Sequence, residues 1–270
     1  MKRLMILVVI IFLASCSAVN QMTTSESYNG YSVLLKDNGD EEMHDYYIAI
    51  TKNGNEILKF ENAPSMADYN NFRFIDFNND GIDELYVKQY SGGAHCCEFN
   101  YIISLKEDSP KFLFNSEEWG SVNFASELTD YDNNKTIEIQ IQNITFDYFE
   151  RCSHAVSPLS LASVFSYDYL KGKFTNQTEK FKNLMLDELK DESILDSIAI
   201  KFDLSDDPNV SDEFGENLGT ILKFVLPYLY TGEVEKGWSL FDKYYTLSDK
   251  EYIRSKINEK LESDPLFNVK

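Results

Sequence analysis

The sequence predicts an α+β protein: an antiparallel β domain of two or three repeated units, followed by an α-helical module. Three observations predict it. Short aromatic and β-branched runs succeed one another through the first two thirds of the 270 residues, hydrophobic spacing turns helical near Thr178, and an acidic loop recurs 54 residues downstream of itself.

The strands come first. Tyr31 to Lys36, Asp45 to Lys52 and Asn55 to Phe60 are rich in aromatic and branched residues. Asn53-Gly54 between the last two is a hairpin signal, because both turn positions need positive φ. Further strands are predicted at Glu84 to Tyr90, Glu98 to Leu105, Lys111 to Asn115, Thr136 to Gln142 and Leu159 to Tyr169. In the run after Glu98, apolar Phe99, Tyr101, Ile103 and Leu105 alternate with Glu98, Asn100 and Ser104, which predicts one wet face. Helical spacing then appears in Phe181, Leu184, Met185 and Leu189, and again from Leu218 to Leu229, where Pro227 should kink or end the helix. Val234, Trp238, Phe241 and Tyr245 mark another helix. A last one opens at a capping box, Ser248 with Glu251, in which each side chain satisfies an orphan amide. These readings place a β domain at 30–176 and a helical module at 177–270, with 203–213 as a solvated connector.

A hydrophobic content of 43% allows a real core, and 26% charged residues is ordinary. The balance of charge is not: 45 acids against 25 bases give a formal −20. Phosphate binding needs a basic surface, so nucleic acid is excluded as a partner, and anionic lipid headgroups would be repelled as well. The 14% aromatic content is mostly Tyr and Phe, which sheets use for packing.

The N-terminus is a leader. Lys2 and Arg3 precede an apolar run, Leu4 to Leu13, too short to span a bilayer, and small residues then precede Cys16. Leu13-Ala14-Ser15-Cys16 resembles the lipobox of bacterial lipoproteins. That resemblance implies cleavage after residue 15 and a lipid on Cys16, with 16–29 as a flexible tether. Ser17 resembles the outer-membrane sorting pattern, so the expected location is the cell envelope, with the membrane held through lipid. An ordinary signal peptide cut near Ala18, or an uncleaved anchor, is the alternative.

The chemistry-bearing motif is Asp76-Phe-Asn78-Asn-Asp80-Gly81-Ile82-Asp-Glu84. Oxygen side chains at positions one, three, five and nine, with a glycine at six, can cage a hard cation such as calcium, the Ile82 carbonyl completing the set. A helix–loop–helix calcium site would need glutamate at position twelve, where Val87 stands. The second copy aligns Asp130, Asp132, Asn134 and Glu138 with Asp76, Asn78, Asp80 and Glu84, and has Lys135 where glycine belongs. Both loops resemble the Asp-rich loops of FG-GAP or VCBS-type repeats, which implies calcium at Asp76, Asn78, Asp80, Ile82 and Glu84 and a partial propeller-like fold. Asp130, Asp132, Asn134 and Glu138 form the possible second calcium loop. A bare polar turn is the competing account, since Asp, Asn and Gly are preferred turn residues.

Ser91-Gly-Gly-Ala-His95-Cys96-Cys97 resembles a signature of uncharacterised exported bacterial proteins, which implies no activity. Adjacent cysteines lie about 3.8 Å apart at Cα, too close for an easy disulfide. Strand alternation back from Phe99 puts Cys97 on the apolar face, so Cys97–Cys152 is the expected bridge, worth about 4 kcal/mol in the loop-entropy account. The alternative is a soft site for zinc or copper from His95, Cys96, Cys152 and His154. A third reading makes His95 a base for Cys96 or Ser91, but strand neighbours face opposite ways. No catalytic residues are assigned. The functional expectation is a lipid-anchored envelope protein with a non-catalytic binding or assembly role, calcium stiffening its β domain and the helical module meeting a protein partner. Transition-metal handling comes second and an envelope hydrolase third.

Overall fold

A computed structural model of the protein describes residues 24–37, 46–61, 72–90, 98–120, 122–158, 161–189, 191–202 and 205–267. The leader, Cys16, His95, Cys96 and Cys97 lie outside these residues. The chain divides after Ser65 into two units.

The first unit holds one antiparallel meander of β1 (Thr24–Tyr28), β2 (Tyr31–Asp37), β3 (Tyr46–Lys52) and β4 (Asn55–Phe60), in that order. Asn53 and Gly54 stand at φ 53° and 80°, the hairpin corner their identity predicts. Along β2, Tyr31, Val33 and Leu35 are buried in alternation. The expected tether is corrected here: its last residues form β1, pairing Thr24 with Leu35 through to Tyr28 with Tyr31.

The second unit contains two more four-stranded antiparallel sheets. One runs β5 (Phe72–Ile75), β6 (Glu84–Tyr90), β7 (Glu98–Ser104) and β8 (Lys111–Asn115); the other is ordered β12 (Lys173–Asn176), β11 (Ala162–Asp168), β10 (Glu138–Asn143) and β9 (Val122–Thr129). Each acidic loop joins the first strand of its sheet to the second, so the 54-residue offset is the spacing from one sheet to the next. Aromatic side chains bring the sheets together: Phe114 meets Phe165 at 4.9 Å between ring centres, and Phe77 meets Phe174 edge-on at 5.9 Å. The fold is α+β, with three open four-stranded sheets.

The wet face expected of β7 is absent. Glu98, Asn100 and Ser104 are all buried. Tyr86 donates its hydroxyl to Asn100 Oδ1 at 2.5 Å, and Lys88 pairs with Glu98 at 3.1 Å. A central strand covered on both sides keeps polar residues only when each has such a partner.

Among the described residues six α-helices follow: α1 (Asn183–Leu186), α2 (Ser193–Phe202), α3 (Pro208–Ser211), α4 (Glu216–Tyr230), α5 (Val234–Tyr244) and α6 (Lys250–Ser263). Pro227 does not end α4 at once: the helix runs on through Tyr230, with Thr231 as its C-cap. The capping box does not form either. Asp249 takes the N-cap position of α6 and makes no cap bond. Its carboxylate is held instead by Arg151 at 2.6 Å and Tyr245 at 2.9 Å, and a charge-assisted pair outweighs one amide bond.

These helices are not a separate module beginning at 177. Leu222, Val225, Phe241 and Ile257 share one hydrophobic core with Phe77, Ile102, Ile139 and Phe165 of the two sheets. Buried Asp264, just after α6, receives hydrogen bonds from Asn143 at 3.2 Å, Thr145 at 2.8 Å and the hydroxyl of Tyr230. Gly219 lets α4 press on the segment after β10, since a Cβ there would stand 2.0 Å from the Val156 carbonyl. Among the described residues no helix is long and apolar enough to cross a membrane.

Candidate functional site

The two acidic loops fold alike, bond for bond. In the first, Asp76 Oδ1 accepts from the Asp80 amide at 3.1 Å and Asp76 Oδ2 from the Gly81 amide at 2.9 Å. In the second, Asp130 Oδ1 accepts from the Asn134 amide at 3.0 Å and Oδ2 from the Lys135 amide at 2.9 Å. Asn78 and Asp132 each accept a second bond from the same fifth-position amide, at 3.1 and 3.2 Å. The ninth-position glutamates reach back to the second amide of their loops, Glu84 to Phe77 at 3.1 Å and Glu138 to Tyr131 at 3.0 Å. Even the strained positions match: Asn79 and Gly81 have φ 56° and 83°, Asn133 and Lys135 have 58° and 72°. Lys135 therefore adopts the glycine conformation at a cost of about 1–2 kcal/mol, and the turn survives.

What differs is the cation each loop already holds. Lys106, from the β7–β8 connection, places its ammonium on Asp80 and within 3.4 Å of Glu84. Burial works against that charge, yet the hydrogen bond to Asp80 and the Glu84 carboxylate outweigh it and raise the Lys106 pKa. Tyr169 adds a 2.7 Å bond to the Asn78 carbonyl. Ile82, the expected carbonyl ligand, is exposed, and its amide donates to Asp80 at 3.0 Å.

The second loop is more open to an ion. One oxygen each from Asp130, Asp132 and Glu138 lies within 4.8 Å of the others, and among the described residues this is the one such group of three. Oxygens around a calcium at 2.3–2.6 Å stand at most about 5 Å apart, so the spacing fits. Lys180 pairs with Asp132 from outside at 2.6 Å and holds its pKa below the usual range. Asn134, the remaining expected ligand, accepts from the Thr136 amide at 2.7 Å.

Both ninth-position glutamates are fully buried. Burial pushes the Glu84 carboxyl up to about 7 and raises that of Glu138 too, against the amide bonds each accepts. Glu138 is further tied by Ser166 at 3.0 Å. Glu84 has the Lys106 ammonium beside it, and at Glu138 a divalent ion would supply a positive charge inside the fold.

The cysteine–histidine readings fare differently. Cys152 is a free, buried thiol whose Sγ points at the Gly215 carbonyl, 3.4 Å away. Burial, then the charge of Asp212, pushes its pKa up to about 12, which keeps the thiol protonated. Its expected bridge partner, Cys97, lies outside the described residues. His154 turns Nδ1 to Asp147 at 2.9 Å. The other two members of the soft-metal set, His95 and Cys96, also lie outside the described residues.

Sequence reasoning did not find Lys106, Lys180, Tyr169 or Ser166, because each arrives from a distant segment without a spacing to announce it. No family model, no curated protein and no solved structure matches this chain.

Proposed function

We propose that this is an exported cell-envelope protein, lipid-anchored at Cys16 in the outer membrane, with a non-catalytic binding or assembly role. Its second unit is stiffened by calcium, foremost at Asp130, Asp132 and Glu138, and secondarily in the loop of Asp76, Asn78, Asp80 and Glu84. The two loop-bearing sheets are copies of one propeller-like unit, and the helices contact a protein partner.

The observation that carries the calcium reading is the approach of three carboxylate oxygens at one sheet corner, where Lys180 pairs with Asp132. Three like charges so close repel one another, and an ion between them turns that repulsion into attraction. At position one of each loop the carboxylate also fixes two backbone amides, so the ligands are ordered before an ion arrives.

The test is calorimetric titration of the full chain with calcium, alongside its melting temperature. Saturation near a hundred times Kd should stabilise the fold by about 2.7 kcal/mol. Asp130→Asn with Asp132→Asn should abolish that gain. Absence of both heat and thermal shift in the parent protein would dismiss the calcium reading. Cys16→Ala should release the protein from membranes, and its retention there would dismiss the anchor.

A further inference from the structure

The expected solvated connector, 203–213, is described from 205 onward, and with the residues up to 217 it forms a braced platform. Asp207 caps α3 by accepting from the Asn209 amide at 2.9 Å, and Ser211 donates to the Ser205 carbonyl at 2.7 Å. Asn217 donates to the Ser211 carbonyl at 2.8 Å, and the Ser248 amide bonds Asp206 at 2.8 Å. Asp212 is buried and spends its carboxylate on the amides of Asn217 and Leu218, at 2.9 and 3.1 Å. Gly215, at φ 70°, lies so close to the Arg151–Cys152 backbone that a Cβ would stand 2.8 Å from it.

This platform holds two large apolar side chains in water. Val210 is 71% exposed and Phe214 69% exposed, and both line a concavity of about 230 Å³. The hydrogen bonds on both flanks hold the backbone that carries these two side chains. The exposed carboxylates of Glu213 and Glu216 line the same concavity, with Lys201 as the cation of the lining, and exposed Asp206 and Asp207 lie in the same segment.

We infer that the concavity lined by Val210 and Phe214 is a docking site for a cationic amphipathic segment of a protein partner. Its apolar side chains cover Val210 and Phe214, and its Lys or Arg residues meet the acidic rim. The rim and the whole chain's formal −20 disfavour an anionic lipid surface, a nucleic acid or a second copy of the chain. A platform already rigid loses little entropy on binding, which favours a short segment as occupant. The inference rests on the reading of the helical part as the partner-binding part, and it names the place and the chemistry.

The test uses the full chain and a labelled helical peptide of Leu and Lys with Leu at three- and four-residue spacing, read by fluorescence anisotropy. Val210→Ser with Phe214→Ser removes the apolar pair without changing charge, and both positions are exposed, so the fold should persist. The double variant should weaken binding about tenfold or more, as should replacing Leu by Ser in the peptide. Glu213→Gln with Glu216→Gln should weaken it at low salt and flatten the salt dependence. Unchanged affinity of the apolar variant would move the contact elsewhere on the helices, overturning this site but not the assembly reading. No binding of the Leu–Lys peptide by the parent chain, or self-association that the apolar variant abolishes, would overturn the inference as well. The calcium titration stands apart from every one of these outcomes.

Discussion

Glu84 and Glu138 are the residues on which the two corners of the second unit turn, and each is a carboxyl placed where charge is costly. Glu84 sits at about 7 when folded against 4.5 ordinarily. Below the lower value both states carry the proton, and above the higher one neither does. Between them the folded state binds it more tightly, so stability falls as pH rises from about 4.5 to about 7, by up to about 3 kcal/mol. Glu138 adds to the same slope. With a calcium chelator present, urea midpoints should therefore be higher at about pH 5 than at about pH 8. Glu84→Gln, which keeps an acceptor for the Phe77 amide, should flatten much of that difference; equal slopes in variant and parent would contradict the burial argument. Lys135 offers a second test. Relieving its positive φ with glycine recovers about 1–2 kcal/mol, less the 0.5–1 kcal/mol of chain entropy glycine adds to the unfolded state, for a net gain near 0.5–1 kcal/mol. It also takes one positive charge out of the loop, so Lys135→Gly should tighten calcium binding while raising the melting temperature. The oxygen ligands were legible in the sequence because they recur at fixed spacing. The lysines that compete for them were not, because Lys106 and Lys180 meet their loops only through tertiary packing.

Among the elements, the central strands were legible, as were the edge strands β4 and β8, and the other four edges were not. β1, β5, β9 and β12 all lie at a sheet edge, and all escaped sequence reading. An edge strand pairs on one side and needs less apolar patterning, so Thr24 to Tyr28 looks like linker until β2 is there to pair with it. The same limit hid α2, whose buried stripe of Leu195, Ile198 and Phe202 is masked by Ile194 and Ile200 on its exposed side. Strand β7 erred in the other direction, its polar alternation predicting water where Tyr86 and Ser116 supply the partners. Helix α4 shows how one position can set an element's placement. Gly219 touches the Val156 carbonyl so closely that alanine must push helix and segment apart. Gly219→Ala should thus cost about 1–3 kcal/mol, despite alanine's better helix propensity. A urea midpoint unchanged or raised would mean that α4 does not bear on this segment.

For the whole molecule, the arguable question is which parts fold alone. A sequence that changes period near Thr178 suggests a cut there, yet period reports local structure and says nothing of which faces meet. The sheets of the second unit bury Phe77, Ile102, Ile139 and Phe165 in the same core as Leu222, Val225 and Phe241. Asp264 ties the end of α6 to Asn143 and Thr145 through buried hydrogen bonds, and losing the acceptor would strand their donors. A fragment ending at 176 would expose that apolar surface and leave those groups unpaired, whereas one spanning 66–270 keeps both. Residues 66–270 should accordingly unfold in one cooperative transition by calorimetry, and residues 66–176 should show none. A cooperative transition in the shorter fragment would restore the cut the sequence suggests, and with it a helical module that stands by itself. Asp264→Ala in the full chain separates the two accounts by a gentler route. If sheets and helices share one core, it lowers the stability of both, seen as a coincident loss of strand and helix signal. If they are independent, the two signals part.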